Sequence, residues 1–395
     1  MLGWSSLIPV DATIDTNIDD MNNFDVVETV GMRADNDEVV AEAGPDSPGT
    51  STLPRVGLAL IPTIPSFTLT EPWQRARELG AVEPGDVNLD WSAFEPTPGN
   101  FVDVDNVIEN TKSLENLESI SLTLAPFQTS THTVPSDLVG LEWNDEQMMS
   151  RCLDAALELL DRFEGFDVHT IAIGNEIDFL FQNDPTAWAK WRELLIFVRA
   201  GIKMRYPNTA VSTKLTVDGW LNPNAQILLP HVDSVVATFY PIDKQFRVTS
   251  FDEWGPKLDS FLQATGELPI YMAEFGAPTS SMLGSSQALQ AELYLDYLQW
   301  WDAHRARIPI TVFVWSHELP SVVLDGILDA LGSNDPNLRE YLGSLGLRDE
   351  KDIPKTSWPQ INQYLCSHNF QVQPSSCSKG SAGAIPPILN LLIDE

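Results

Sequence analysis

Basic residues are scarce in this chain. Lysine and arginine number 23 against 56 aspartates and glutamates, a formal net charge of −33 over 395 residues. A surface this acidic repels phosphate backbones and anionic lipid heads, which sets nucleic-acid and membrane partners aside; a neutral ligand feels no such repulsion. Long hydrophobic runs are missing too. No apolar stretch reaches the about 18 residues that a membrane span requires, and the tail Ile385 to Ile393 is too short to be one. Histidines are few: His132, His169, His231, His304, His317 and His368 stand scattered, with neither an H-x-H nor an H-E-x-x-H spacing, which argues against a catalytic metal. Asp103-Val104-Asp105-Asn106 lacks the glycine and terminal glutamate of a calcium loop. The chain has no G-x-S-x-G elbow of serine hydrolases and no glycine-rich phosphate loop of the GxGxxG or GKS type.

Cysteine is limited to Cys152, Cys366 and Cys377. Cys152 falls in a helical-looking stretch and reads as a buried thiol. Cys366 and Cys377 flank a short polar loop; either they pair, which places the protein in an oxidising compartment, or they remain two free thiols. No basic segment followed by an apolar one opens the sequence, so either a signal was trimmed before Met1, export takes another route, or the protein stays inside.

What the chain does contain is a sizeable core: 43% apolar residues and twelve tryptophans. Three segments are expected. Residues 1–54 are acidic, with little hydrophobic periodicity and a linker-like end, and read as a poorly ordered arm. Residues 55–365 form the main domain, and 366–395 a short C-terminal extension. Within the main domain, short apolar runs alternate with longer amphipathic segments. The runs cover 56–60, 120–124, 170–173, 210–215, 234–239, 269–273 and 310–315, with a weaker one at 86–91. Continuous rather than alternating apolar runs suit a parallel sheet covered on both faces. Between them, 145–163, 186–204 and 286–303 carry helical periodicity, with Thr186 and Ser286 as candidate caps. The first helix would bury Met148, Cys152, Ala155, Ala156, Leu159 and Leu160. Eight strands alternating with helices predict an α/β fold, a (β/α)8 TIM barrel.

In such barrels chemistry sits where strands end. The runs end in Phe127-Gln128, Asn175-Glu176, Tyr240-Pro241, Glu274 and Trp315-Ser316-His317. A carboxylate at the end of a buried strand is costly unless it is used or paired. Two of them on one cavity give a general acid and a nucleophile, the requirement for hydrolysing a glycosidic bond, because their proximity raises one pKa and leaves the other group ionised. Phe127, Tyr240 and Trp315 suit the apolar faces of sugar rings. Gln128 and His317, just past strand ends, are candidate substrate contacts. Trp91 and Glu95 either shape the loop after strand two or touch substrate.

These motifs carry a family resemblance. IAIGNEID and IYMAEFGAPTS resemble the strand-four and strand-seven segments of the clan A glycoside hydrolases. VATFYPID and TVFVWSHELP are similar to their strand-six Tyr and strand-eight Trp segments. DWSAFEPTPGNF resembles their segment near strand two. The resemblance implies Glu176 as acid/base, Glu274 as nucleophile, Asn175 on the sugar 2-hydroxyl, Tyr240 against the nucleophile and Trp315 under the sugar. It implies retention of configuration on a β-linked poly- or oligosaccharide, no cofactor, and a secreted or periplasmic protein acting in polysaccharide degradation. GNEID and FYPID lean toward the endo-galactanase-like branch. One departure is clear: no Arg stands at the end of strand two to support the nucleophile, and Arg55 begins strand one. A sugar-binding barrel without catalysis, and a transglycosylase, are the alternatives.

Overall fold

The computed structural model describes residues 53–62, 68–117, 119–129 and 131–377. The expected acidic arm lies outside the described residues except for Leu53 and Pro54, and so do residues 378–395 of the expected extension.

All eight apolar runs form strands: β1 (Arg55–Leu58), β2 (Asp86–Asp90), β3 (Ser119–Gln128), β5 (Asp167–Asn175), β6 (Ala210–Thr216), β7 (Val235–Phe239), β8 (Ile270–Phe275) and β9 (Ile310–Phe313). A short additional strand, β4 (Thr131–His132), folds back antiparallel on the end of β3. The sheet runs β1-β9-β8-β7-β6-β5-β3-β2 with the eight main strands parallel. The segment leading into β2 then closes the ring on β1, where Val82 N–H donates to Val56 O at 2.9 Å and Leu58 N–H to Glu83 O at 3.1 Å. The fold is a (β/α)8 barrel.

The helices form because their apolar faces need cover. Glu146–Arg162 buries all six residues expected of it, each large apolar side chain contributing about 1.5–3 kcal/mol. Asp145 caps it by accepting from Gln147 N–H at 2.9 Å. Ser286 caps Gln287–His304 through Leu289 N–H. The cap of Pro185–Arg205 is Asp184 rather than Thr186: its carboxylate accepts from the N–H groups of Thr186 and Ala187, and Pro185 takes the first helical position, where no N–H is needed. Among the described residues no helix is long and apolar enough to cross a membrane.

Part of the barrel interior is polar, beside apolar side chains such as Val236 and Val312. Along β2, Asp86, Asn88 and Asp90 alternate with Val87 and Leu89, all buried. Asp86 bonds to Lys214 of β6 across the barrel, so the polar face of β2 points inward. This explains why β2 is the weakest apolar run. One interior layer joins Glu83, Ser121, His169 and Tyr271 by hydrogen bonds of 2.7–2.9 Å. The next contains Asp86, Thr123 and Lys214 and leads to Glu274. At the C-terminal end of the chain, Cys366 and Cys377 form a disulfide that fastens residues 368–377 to the helix Ser357–Ser367.

Candidate active site

The C-terminal ends of the strands open on a cavity of about 820 Å³. Asn175, Glu176, Thr238, Tyr240, Glu274 and Trp315 line it together. Loops after β5, β6 and β7 add to the wall, and one side of it comes from the connection after β9, where the helices Ser321–Ala330 and Pro336–Gly343 bring Leu331, Leu338, Tyr341 and Leu342 to the lining.

Glu176 stands one residue past β5, and its local backbone is forced. Gly174 has φ +82°, and a Cβ there would meet Ile177 Cγ2 at 2.6 Å and Trp191 Cζ2 at 2.8 Å. Only glycine lets the chain turn this tightly against Trp191. Glu176 itself has φ +50°, a conformation that costs a non-glycine residue on the order of 1–3 kcal/mol and persists where the surroundings fix it. Here its N–H donates to Lys214 O at 2.8 Å. Its carboxylate accepts from Thr129 Oγ1 at 3.0 Å and from Thr238 Oγ1 at 2.7 Å.

Thr238 on β7 is the register partner of Glu274 on β8. Glu176 thus reaches across the mouth to the strand beside Glu274, and the two carboxylates share the cavity. Glu274 accepts from Tyr240 Oη at 2.6 Å through Oε2, while its Oε1 lies 3.4 Å from Lys214 Nζ. Lys214 is fully buried and pairs with Asp86 at 2.7 Å.

The surroundings drive the two carboxyls in opposite directions. Burial, then the nearby charge of Glu274, pushes Glu176 up to about 7 against the two threonine hydrogen bonds. Burial also pulls Glu274 upward, while the Lys214 ammonium and, more weakly, the Tyr240 hydroxyl pull it down, and the group sits below its ordinary value. Burial would strip Lys214 of its proton; the charges of Asp86 and Glu274 outweigh that and raise its pKa. Burial and the Glu274 charge hold the Tyr240 hydroxyl well above its usual value, so it remains a donor.

Asn175 is 5% exposed, and its Oδ1 has no hydrogen-bond partner. A buried acceptor left empty costs about 1–3 kcal/mol, which a hydroxyl entering the cavity would recover.

Four expected contacts are not at the cavity. Phe127 is fully buried and packs edge-on against His132. Gln128 is engaged in two reciprocal amide hydrogen bonds with Asn88, at 3.1 and 3.2 Å, because both side chains point into the barrel. His317 is 2% exposed and bonds through Nε2 to Asp352 at 2.9 Å, in a cluster that also holds Arg75 and Arg348. Trp91 is fully buried, its indole N–H donating to Glu95 Oε2 at 2.8 Å, while Glu95 Oε1 accepts from Gly99 N–H and pairs with Arg151. Trp91 and Glu95 therefore shape the loop after β2.

Several groups at the site were not singled out from the sequence. Thr129 and Thr238 hold Glu176. Lys214 was legible only as a lone charge inside an apolar run, VSTKL, a signal that normally weakens a strand assignment. Asp86 shares that ambiguity. Among the described residues no group of His, Cys, Asp and Glu is placed to hold a metal ion.

No family model and no curated protein matches the sequence. Solved structures do match its fold. An exo-β-1,4-mannosidase from an Opitutaceae bacterium superposes with a TM-score of 0.60 at 16% identity, over 79% of this chain and 59% of that one, so this chain spans less than two thirds of that protein. A GH5_18 protein from Bifidobacterium longum, in complex with Manβ1-4GlcNAc, gives 0.62 at 14%, over 81% and 79%. A psychrophilic family 10 endo-β-1,4-xylanase gives 0.54 at 12%, over 78% and 96%. These solved glycoside hydrolases share the (β/α)8 barrel fold that the sequence predicts. These structures do not carry the lean toward the endo-galactanase-like branch.

Proposed function

We propose that the protein is a retaining glycoside hydrolase of β-linked poly- or oligosaccharides, with Glu176 as acid/base and Glu274 as nucleophile. The observation that carries this reading is the meeting of two carboxyls on one cavity in different surroundings: Glu176 held by two threonine hydroxyls and pushed up to about 7, Glu274 held by the Tyr240 hydroxyl beside the Lys214 ammonium. An acid that keeps its proton near neutrality and a carboxylate that does not are the two reagents of double displacement.

In the first step a Glu274 oxygen bonds to the anomeric carbon. The bond from that carbon to the leaving oxygen breaks, and the Glu176 proton passes to the leaving oxygen. In the second step water attacks the anomeric carbon and gives its proton to Glu176, and the ester bond breaks to restore the Glu274 carboxylate. Tyr240 hydrogen-bonds the nucleophile, Asn175 offers Oδ1 to a sugar hydroxyl, and Trp315 presents its ring to the sugar. Hydrolysis and transfer to another acceptor share these steps. The chemistry draws on side chains alone. The Cys366–Cys377 disulfide supports an extracellular or periplasmic location.

Turnover of a panel of aryl β-glycosides and β-linked oligosaccharides, with sugar binding followed by calorimetry, tests the reading. Wild-type protein should hydrolyse at least one substrate, and Glu274→Gln should lose turnover while still binding sugar. Sugar binding with no turnover by the wild type at any pH between 4 and 8 would make the barrel a binding module instead.

A further inference from the structure

A buried ion pair stands directly behind Glu274, and the reaction steps above leave it unused. Lys214 is completely withdrawn from solvent, Asp86 nearly so. Burying a charge pair costs several kcal/mol per ion before the mutual attraction is counted, and a pair of apolar side chains would fill the barrel at less expense. The pair is also incompletely satisfied. Asp86 Oδ2 takes both Lys214 Nζ at 2.7 Å and Thr123 Oγ1 at 2.5 Å, while Asp86 Oδ1 has no hydrogen-bond partner. A pair built for stability would fill that acceptor. What the arrangement does achieve is to aim a fixed positive charge at Glu274 Oε1, 3.4 Å away, from a strand that also holds Glu176 by its backbone carbonyl.

We propose that Lys214 is a positioning residue, the fixed charge that supports the ionised Glu274 carboxylate, and that Asp86 tethers it and sets the strength of its field. This rests on the reading of Glu274 as nucleophile. The charge acts unequally on the two chemical steps. Forming the ester neutralises Glu274 and gives up the attraction to Lys214. Breaking the ester returns the electron pair to a Glu274 oxygen, and Lys214 stabilises the carboxylate as it reappears. The pair therefore favours departure of the sugar from the enzyme, and its loss should slow the second step more than the first. It also places a positive charge where no strand-two Arg stands, from another strand.

Among the described residues, the ionisable groups facing this centre include Asp86 from β2, Glu176 after β5, Tyr240 after β7, Glu274 from β8 and Tyr341 from the helix Pro336–Gly343. With Glu176, Tyr240 and Tyr341 kept in every variant, changes in the pair alone should move Glu274, and with opposite signs. Removing Lys214 takes away the attraction; removing the Asp86 charge takes away a repulsion.

The test needs no substrate, so it stays readable even if the glycosidase reading fails. The Glu274 carboxyl is titrated by ¹³C NMR in protein labelled at the glutamate carboxyl, its resonance assigned by difference against Glu274→Gln. Lys214→Met leaves Asp86 buried and unpaired, so the neutral double variant Asp86→Asn/Lys214→Met is measured beside it, with Asp86→Asn alone as the third. The Glu274 pKa should rise by roughly one to three units in the double variant, the range commanded by an adjacent opposite charge, and fall in Asp86→Asn. A shift below half a unit in the double variant, or shifts of the same sign in both, overturns the proposal and leaves the pair a structural element. In turnover of an aryl β-glycoside, intact mass should then show glycosyl-enzyme accumulating in the double variant and not in wild type; equal accumulation in both would refute the assignment to the second step.

Discussion

Replacing Glu176 by Gln should make the protein more stable above pH 6 while it disables turnover. In the folded state the carboxyl is pushed from 4.5 up to about 7, whereas the unfolded chain leaves it near its ordinary value. A carboxyl with a raised folded pKa favours folding most when protonated, so its contribution is intact below about 4.5 and declines as pH rises, levelling off above about 7. At 1.36 kcal/mol per unit, the shift amounts to about 3 kcal/mol when complete and about 2 kcal/mol at pH 6. Gln carries no charge and escapes this penalty, and its amide can still serve Thr238 and Thr129 as acceptor and donor. The difference in unfolding free energy between Glu176→Gln and wild type should therefore be near zero at pH 4 and favour the variant by about 2–3 kcal/mol at pH 8. Urea unfolding with unchanged m-values at several pH values gives this directly. A difference that stays flat from pH 4 to 8, or that favours wild type at pH 8, would show that Glu176 is not held protonated by its site and would remove the basis for treating it as the acid.

Further outcomes follow from the same geometry. The kcat/KM profile should be bell-shaped, with an acid limb below pH 4.5 from Glu274 and an alkaline limb near pH 7 from Glu176; a profile rising through pH 8 would contradict this assignment. Tyr240→Phe removes a 2.6 Å hydrogen bond to Glu274; at about 1.5–3 kcal/mol for a bond to a charged group, it should raise the acid limb by one to two units, and an unmoved limb would deny Tyr240 that role. Gly174→Ala places a Cβ against Ile177 and Trp191 at a positive φ. It should cost about 2–4 kcal/mol by urea unfolding, and a neutral result would mean that the turn before Glu176 is not tightly held. Gln128→Ala strands Asn88 inside the barrel and should lower stability by about 1–3 kcal/mol with KM unchanged; a KM change without destabilisation would return Gln128 to the substrate.

The strand ends were legible because a parallel barrel buries its strands on both faces, so each strand reads as an apolar run and its end as a sudden polar residue. Asn175-Glu176, Tyr240, Glu274 and Trp315 all reach the cavity for that reason. The same rule gave Gln128 and His317 an address but not a direction: Asn88 and Asp352 claim their side chains, and both partners are distant in sequence. Trp91 was misplaced by a partner four residues away, Glu95, whose local role the segment does suggest. Lys214 and Asp86 were hidden because they are polar in strands whose apolar residues dominate the pattern; only the closed barrel brings β2 and β6 face to face. The wall built by Leu331, Leu338 and Leu342 depends on how a long connection folds back, which periodicity does not encode.

Double displacement by Glu274 requires a covalent bond between its carboxylate and the sugar. Incubating the protein with a panel of cyclophellitol aziridines of different sugar configuration, then mapping the adduct by peptide mass, tests it most directly. One adduct is expected, on Glu274, formed by wild type and absent in Glu274→Gln. An adduct on a different carboxylate, or a protein that hydrolyses β-glycosides with inversion at the anomeric carbon, would contradict it.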